Sequence, residues 1–481
     1  PRMCLVGGIG MLTLVVPPAQ LGHALAHGSV WLRPPRSVQV LLSGRIRPFV
    51  CARDVALELL RRGVGDIVRK VDAAHGAPVV IEFAGPSARL LSVQERAVLC
   101  AIAPAAGAAA ALFISDEKAE VFLRDQRRSK AHRALAPDPG APCDDVLSID
   151  LATVDPLLMD EAGQIKAVRD LAGQPVHQVV LGGDSGVTLR DMLAAASLLK
   201  SKRVPPRLDL LVAPPSRQVL EVLAHTGALV DLVATGARMI EPDHRVVSGD
   251  IYPPAPGQTS LRTFVPEPGR SRNRPFIVAS AETLAYTVAT GQIGDPRSFK
   301  RPVRVTVPRV FPTDDVLIVR QRKGETPSLR KPGTSSGLAT RRWSAEATSL
   351  ELLRALPVSK VESLSALLLA DGDEALRLAS GALALPDAIR AVIAPFLPSF
   401  LVSQLTGLGI AALRIDAAQA KLLDGAKHLQ VPALSQWGAD GALTALAGTA
   451  KIKLVWLAKG IEREWLSPAP KAASPAPRSA R

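Results

Sequence analysis

The segment VVLGGDSGVTLRDM (179–192) runs an apolar strand into two glycines, an aspartate and a serine before a helical pattern begins. A strand–turn–helix junction of this kind offers bare backbone N–H groups to an anion and places Asp184 where a ligand would sit. Asp184 and His244, with Asp243 as a third donor, have the carboxylate and imidazole chemistry of a mononuclear Zn²⁺, Fe²⁺ or Mn²⁺ site. The simpler reading, which we favour, makes Asp184 the N-cap of the following helix and His244 an ordinary loop histidine. Other patterns carry less. The D-S-G of 184–186 is not a G-x-S-x-G elbow, and His23 and His27 lack the glutamate of H-E-x-x-H. The G-G-I-G of 7–10 lacks the spacing and preceding strand of a dinucleotide loop. Cys4, Cys51, Cys100 and Cys143 form no C-x-x-C pair, which argues for a reducing compartment and against a disulfide framework or a thiolate metal site.

The elements that must hold these residues follow one rhythm from residue 38 to about 320. SVQVLLSG precedes ARDVALELLRRG, APVVIEFAG precedes SVQERAVLCAIAPAAGAAAA, and HQVVLGG precedes VTLRDMLAAASLLKS. RLDLLVAPPS then leads into RQVLEVLAHTG, and RPFIVAS into AETLAYTVATGQIG. Strands alternating with helices that open on Ser or Asp and close on Gly predict mostly parallel α/β sheets, with ligands at the carboxyl ends of the strands.

With 481 residues, 47% of them hydrophobic and 21% charged, the chain can bury large cores and is expected to form two to four domains. The stretch 321–345 loses periodicity and reads as a basic Pro/Gly/Ser linker. A smaller unit over 346–465 follows, containing a strand, an apolar helix and a strand within DAIRAVIAPFLPSFLVSQLTGLGIAALRI. The Pro/Ala/Ser-rich tail 466–481 is expected to be disordered. The 58 Lys and Arg residues exceed the 44 Asp and Glu residues, giving a net charge of +14. Much of the excess lies in RDQRRSK (124–130) and 297–342, which offer a protein or RNA partner a basic face but no interleaved aromatics. The N-terminal run MCLVGGIGMLTLVV followed by A-L-A imitates a secretory signal. A cytoplasmic protein without a membrane span is nevertheless the expectation, since glycine and proline punctuate every long apolar run.

In their order, several stretches resemble the aconitase and 3-isopropylmalate dehydratase family, hydro-lyases that use a [4Fe–4S] cluster. They are GGIGML (7–12), SGRIRPFVCARDV (43–55), VVIEFAGPSARLLSVQERAVLC (79–100), the turn at 182–192, VAPPSRQV (212–219), GARMIEPDH (236–244), TSLRTF (259–264) and ATGQIGDPR (289–297). The resemblance implies an aconitase-type three-layer α/β body over 1–320, N-terminally truncated and made of more than one subdomain. A linked smaller C-terminal swivel domain would follow, with 380–413 as a shortened version of it.

In that family the 182–192 turn and a later G-C-x-x-C pair supply three cluster cysteines; the corresponding positions here are Asp184, His244 and Val247. The resemblance also places the family's histidine of D-S-H-T at Arg2 and its N-M-x-x-E asparagine and glutamate at Ala101 and Ala105. Its substrate-clamping segment keeps Arg262 but has Leu261 and Glu267 at neighbouring key positions, and its G-S-S-R-E loop has no counterpart. The expectation is therefore a non-catalytic binding, scaffold or regulatory pseudoenzyme without cluster, metal or catalytic residues. Arg262 would remain to bind a small carboxylate or other anion. An active hydro-lyase of the aconitase or 3-isopropylmalate dehydratase type is the alternative, and an RNA-binding protein the third.

Overall fold

The computed structural model describes residues 5–12, 21, 24–25, 32–133, 135–138, 140–183, 187–241, 251–263, 276–309, 343, 346–354, 361–381 and 385–466. The chain divides into two compact units. The first is drawn from Pro1–Leu14, Pro35–His75 and Val79–Arg322, the second from Val15–Pro34, Gly76–Pro78 and Lys323–Arg481. No single helix among the described residues is long and apolar enough to cross a membrane.

The first unit holds two sheets. One is built from β1 (Arg36–Ser43), β2 (Val79–Ala84), β3 (Ala110–Phe113) and β4 (Asp145–Asp150) in the order β3-β2-β1-β4, every pairing parallel. Alternate residues of β1, namely Val38, Val40 and Leu42, are fully buried, so this strand turns one face to the core. Helix α1 (Ala52–Arg61) follows β1, and α2 (Val93–Cys100) follows β2. A capping box starts α2: the Glu95 N–H donates to Ser92 Oγ, and the Ser92 N–H donates to Glu95 Oε2. The pattern through 93–110 reads as one helix, but α2 stops at Cys100. A short turn of helix, Ala103–Ala106, is ended by Gly107 at φ 79°, and the alanines beyond it enter β3. Helix propensity yields there to burial beside Val80 and Ile81 of β2.

The second sheet contains β5 (Leu157–Met159), β6 (Ile165–Ala167), β7 (Gln178–Gly182), β8 (Asp209–Ala213), β9 (Arg238–Met239), β10 (Ser260–Arg262) and β11 (Ile277–Ala279), in the order β6-β5-β11-β10-β7-β8-β9. Its run from β11 to β9 is parallel, with β5 and β6 added antiparallel at one edge. Strands β7, β8 and β11 are short, mostly apolar runs buried on both faces, as a parallel sheet between helices requires. Helices α3 (Leu189–Leu199) and α4 (Ala281–Thr290) follow β7 and β11. The mixed α/β architecture with parallel sheets agrees with the sequence reading.

The turn after β7 departs from expectation in two ways. Its backbone is not bare: the Gly182 N–H donates to Thr263 Oγ1 at 2.9 Å and the Gly183 N–H to the Ala213 carbonyl at 2.8 Å. The cap of α3 is Thr188, whose hydroxyl accepts the Asp191 N–H while the Asp191 carboxylate accepts the Thr188 N–H. That reciprocal pair is the T-x-x-D box, four residues beyond the aspartate expected to cap. Asp184 itself lies outside the described residues.

The second unit contains a closed barrel of β12 (Thr348–Leu353), β13 (Ser365–Leu368), β14 (Ile389–Ala394), β15 (Ala411–Arg414), β16 (His428–Val431), β17 (Ala442–Ala447) and β18 (Ala450–Trp456). Strands β12 to β15 pair in parallel, and β18, β17 and β16 return antiparallel to reach β12. The expected strand, apolar helix and strand are β14, α5 (Ser399–Gly407) and β15. Trp343, Trp437 and Trp456 pack edge to face within its core, with ring centroids 5.2 and 5.0 Å apart.

Gly182 has no room for a side chain. Its φ is 113°, and a Cβ there would fall 1.9 Å from the Ala213 carbonyl oxygen. Gly182→Ala is expected to lower the unfolding free energy by about 3 kcal/mol or more, measured by urea denaturation with circular dichroism.

Candidate metal centre

Three helices of the first unit begin at one place. Cys51 is the N-cap of α1, Asp191 stands in the first turn of α3, and Glu282 in the first turn of α4. A ligand atom from each, the Cys51 Sγ and one carboxylate oxygen apiece from Asp191 and Glu282, lies within 4.8 Å of the other two. All three side chains are buried, Cys51 and Glu282 being 3% exposed and Asp191 4%. Each acidic group sits where the positive end of its own helix dipole favours a carboxylate.

The chain brings them together through the two sheets. The loop after β1 carries Phe49, at φ 66°, into the core of the second sheet rather than of its own. Asp54 completes the link: its Oδ2 accepts the Cys51 N–H and its Oδ1 the Leu157 N–H, each at 2.9 Å. The first of these closes the start of α1, and the second ties α1 to β5. Arg190 Nη1 lies 3.4 Å from both Asp191 Oδ1 and Glu282 Oε1, and Asp191 Oδ2 accepts the Thr188 N–H. Glu282 Oε2 has no hydrogen-bond partner, and neither has Nε of the adjacent buried Arg53.

Burial sets the protonation of this group. It pushes the Cys51 thiol well above its ordinary value, and the nearby Asp191 charge adds to the effect. Such a thiol is not a ready nucleophile. Burial raises Asp54 to about 7, outweighing the backbone N–H bonds that favour its charged form. Asp191 and Glu282 are also raised by burial and share one electrostatic environment, so they titrate as a pair.

The expectation of no metal and no cofactor is corrected here, because Cys51, Asp191 and Glu282 form a group that can hold a metal ion. Sequence reasoning missed it because the three residues are far apart in the chain and share no spacing motif. The one available signal was T-x-x-D at 188–191, which marks the start of α3. Among the described residues a single thiol joins this group. That donor set suits one borderline ion and not a four-iron cluster held by several thiolates.

The sequence-predicted positions Asp184, His244 and Val247 lie outside the described residues, as do Arg2, Cys4, His23, His27, Asp243 and Glu267. Arg262 is described and fully buried. Its Nε donates to Ser260 Oγ and its Nη2 to Gln178 Oε1, both at 3.0 Å, and its guanidinium stacks 3.6 Å from the Phe276 ring centroid. It is not among the residues of the metal-capable group. A separate cavity of about 480 Å³ opens beyond the carboxyl ends of β2 and β3, lined by Gly85, Arg89, Arg96, Phe113 and Asp116 among others. In its wall, Arg96 donates two hydrogen bonds to Asp116, at 2.8 and 2.6 Å.

The raised acids make stability depend on pH in a defined direction. Asp54 has an ordinary value of 3.8 and a folded value of about 7. Folded protein thus retains a proton that unfolded chain releases, so the contribution is full below the ordinary value and is lost as pH rises to about 7. In chelator-treated protein this loss is expected to be on the order of 4 kcal/mol for Asp54 alone. Denaturation curves from the ordinary value of 3.8 to just above about 7 would show it, and Asp54→Asn would flatten the dependence.

Comparison with known proteins agrees with this architecture. Residues 3–243, half of the chain, match the family model described as "Aconitase family (aconitate hydratase)". The chain is 28% identical over 304 residues to the probable 3-isopropylmalate dehydratase large subunit of Methanothermobacter thermautotrophicus, covering 62% of this chain and 70% of that one. It is 29% identical over 309 residues to 3-isopropylmalate dehydratase large subunit 2 of Archaeoglobus fulgidus, covering 62% and 71%. Against large subunit 1 of Thermotoga maritima the identity is 29% over 311 residues, again 62% and 71%. With parallel sheets, helix order and the family match in agreement, this chain belongs to the aconitase family.

Proposed function

We propose that this chain is a binding member of the aconitase family, one that takes up a small carboxylate or related anion without dehydrating it. The observation that carries the reading is the residue pair Ala101 and Ala105. They stand where the family resemblance calls for an asparagine and a glutamate, and a methyl group neither orients a hydroxy acid nor transfers a proton. Ala101 directly follows α2 and Ala105 lies in the short helix Ala103–Ala106, so the backbone at these positions is ordinary helix and cap. The cavity beyond β2 and β3 supports uptake of an anion: it occupies the usual ligand position of a parallel α/β sheet and carries Arg89 and Arg96 in its wall. Asp116 offsets the charge of Arg96, which leaves Arg89 as the cation to meet a ligand.

A second reading is an active hydro-lyase. It is favoured by the relatives named as 3-isopropylmalate dehydratase large subunits and by the metal-capable group in the same unit.

The two readings separate in one set of measurements on protein purified without oxygen. Offered 3-isopropylmalate-, citrate- and malate-type acids, it is expected to form no unsaturated product above the blank. Calorimetry is expected to detect binding of at least one of these acids, weakened about tenfold or more by Arg89→Ala. Turnover that disappears on chelation would establish the second reading, and absence of both turnover and binding would overturn the first.

A further inference from the structure

We propose that Cys51, Asp191 and Glu282 bind one divalent transition-metal ion of the zinc type, which fastens the first sheet of the first unit to the second. The inference does not rest on the binding role proposed above, because these side chains are buried and none of them lines the cavity.

The geometry argues for an ion in three ways. First, the three ligand atoms already lie within 4.8 Å of one another, whereas a tetrahedral ion with bonds of about 2.0–2.3 Å needs its ligands about 3.5 Å apart. Rotamer adjustments of roughly an ångström close that gap. Second, the group is incomplete without a cation. Glu282 is 3% exposed, yet its Oε2 has no partner, and an orphaned buried carboxylate oxygen is costly. Third, the neighbouring Asp54 shows what completion looks like in this environment. Both of its oxygens accept backbone N–H bonds at 2.9 Å, and it contributes no ligand atom to the group.

The surrounding charges leave room for such an ion. Arg53 and Asp54 face the group from α1 and Arg190 from α3, and α4 contributes Glu282 itself. Arg190 stands 3.4 Å from one oxygen of each carboxylate and is 38% exposed, so it compensates from the rim. With two carboxylates and a thiolate, the donors carry three negative formal charges against the guanidiniums of Arg190 and Arg53, and Asp54 and Glu95 add further acidic groups nearby. A thiolate beside two carboxylates selects Zn²⁺, Co²⁺ or Fe²⁺ over Mg²⁺ and Ca²⁺, which favour all-oxygen sites. Three protein ligands leave a fourth position for water. Because α1 packs on the first sheet while α3 and α4 belong to the second, the ion would clip distant parts of the chain together and contribute to folding.

The test uses the full chain. Protein prepared with Zn²⁺ and then dialysed is expected to retain about one equivalent by elemental analysis. After chelation, titration with Co²⁺ is expected to produce visible tetrahedral bands and a near-ultraviolet thiolate-to-metal band. Cys51→Ser supplies a hydroxyl at the N-cap in place of the thiol, and Glu282→Gln keeps the shape of the side chain. Each is expected to weaken Co²⁺ binding by about tenfold or more, with the near-ultraviolet band gone in Cys51→Ser. Retention of well below one equivalent, or binding unchanged in both variants, would overturn the proposal. Should either variant fail to fold, X-ray absorption on the Zn²⁺-loaded wild-type protein decides. One sulfur with oxygen neighbours supports the site, whereas no sulfur, or several, refutes it.

Discussion

The first unit depends on the meeting of three helix N-termini in one dry place. Cys51 caps α1, and Asp191 and Glu282 occupy the opening turns of α3 and α4, so three positive helix ends and several acidic groups share a small volume. Burial disfavours the charged form of each acid and the neighbouring carboxylates add to the effect, so Asp54, Asp191 and Glu282 are all raised. The two sheets are held in register around this point by directional contacts, chiefly Asp54 with Leu157, as well as by packing. Phe49 adds an apolar anchor, leaving the loop after β1 to fill the core of the other sheet.

Much of the architecture was legible because it follows from local rules. Apolar runs of strand length followed by amphipathic helices gave β1 with α1, β7 with α3 and β11 with α4. The family resemblance was carried by the same segments. Where expectation and structure part, a nearby feature explains the difference. Pro104 and Gly107 interrupt an alanine-rich run that propensity alone makes helical, and β2 then recruits its far end as a strand. At the turn after β7, Asp184 had the right chemistry for a cap, but Thr188 and Asp191 form the reciprocal pair that a single acceptor cannot match.

The metal-capable group was illegible for a different reason. No periodicity or spacing connects residues 51, 191 and 282, because what unites them is the meeting of helix starts from two different sheets, a long-range property. Arg262 illustrates the same limit in reverse. From sequence it is an arginine left over from a substrate clamp, while in the fold its side chain bridges β10 and β7 through Gln178 and stacks on Phe276. Its chemistry was readable, but its neighbours were not.

The barrel of the second unit has a consequence for association. Because β16 returns to pair with β12, all seven strands have neighbours on both sides, and among the described residues the barrel has no edge strand. The barrel therefore offers another polypeptide no edge strand to extend, a route open to many flat sheets and a common path to aggregation. Whatever docks on this unit must recognise side chains or loop backbone, so its selectivity resides in surface chemistry rather than in main-chain complementarity.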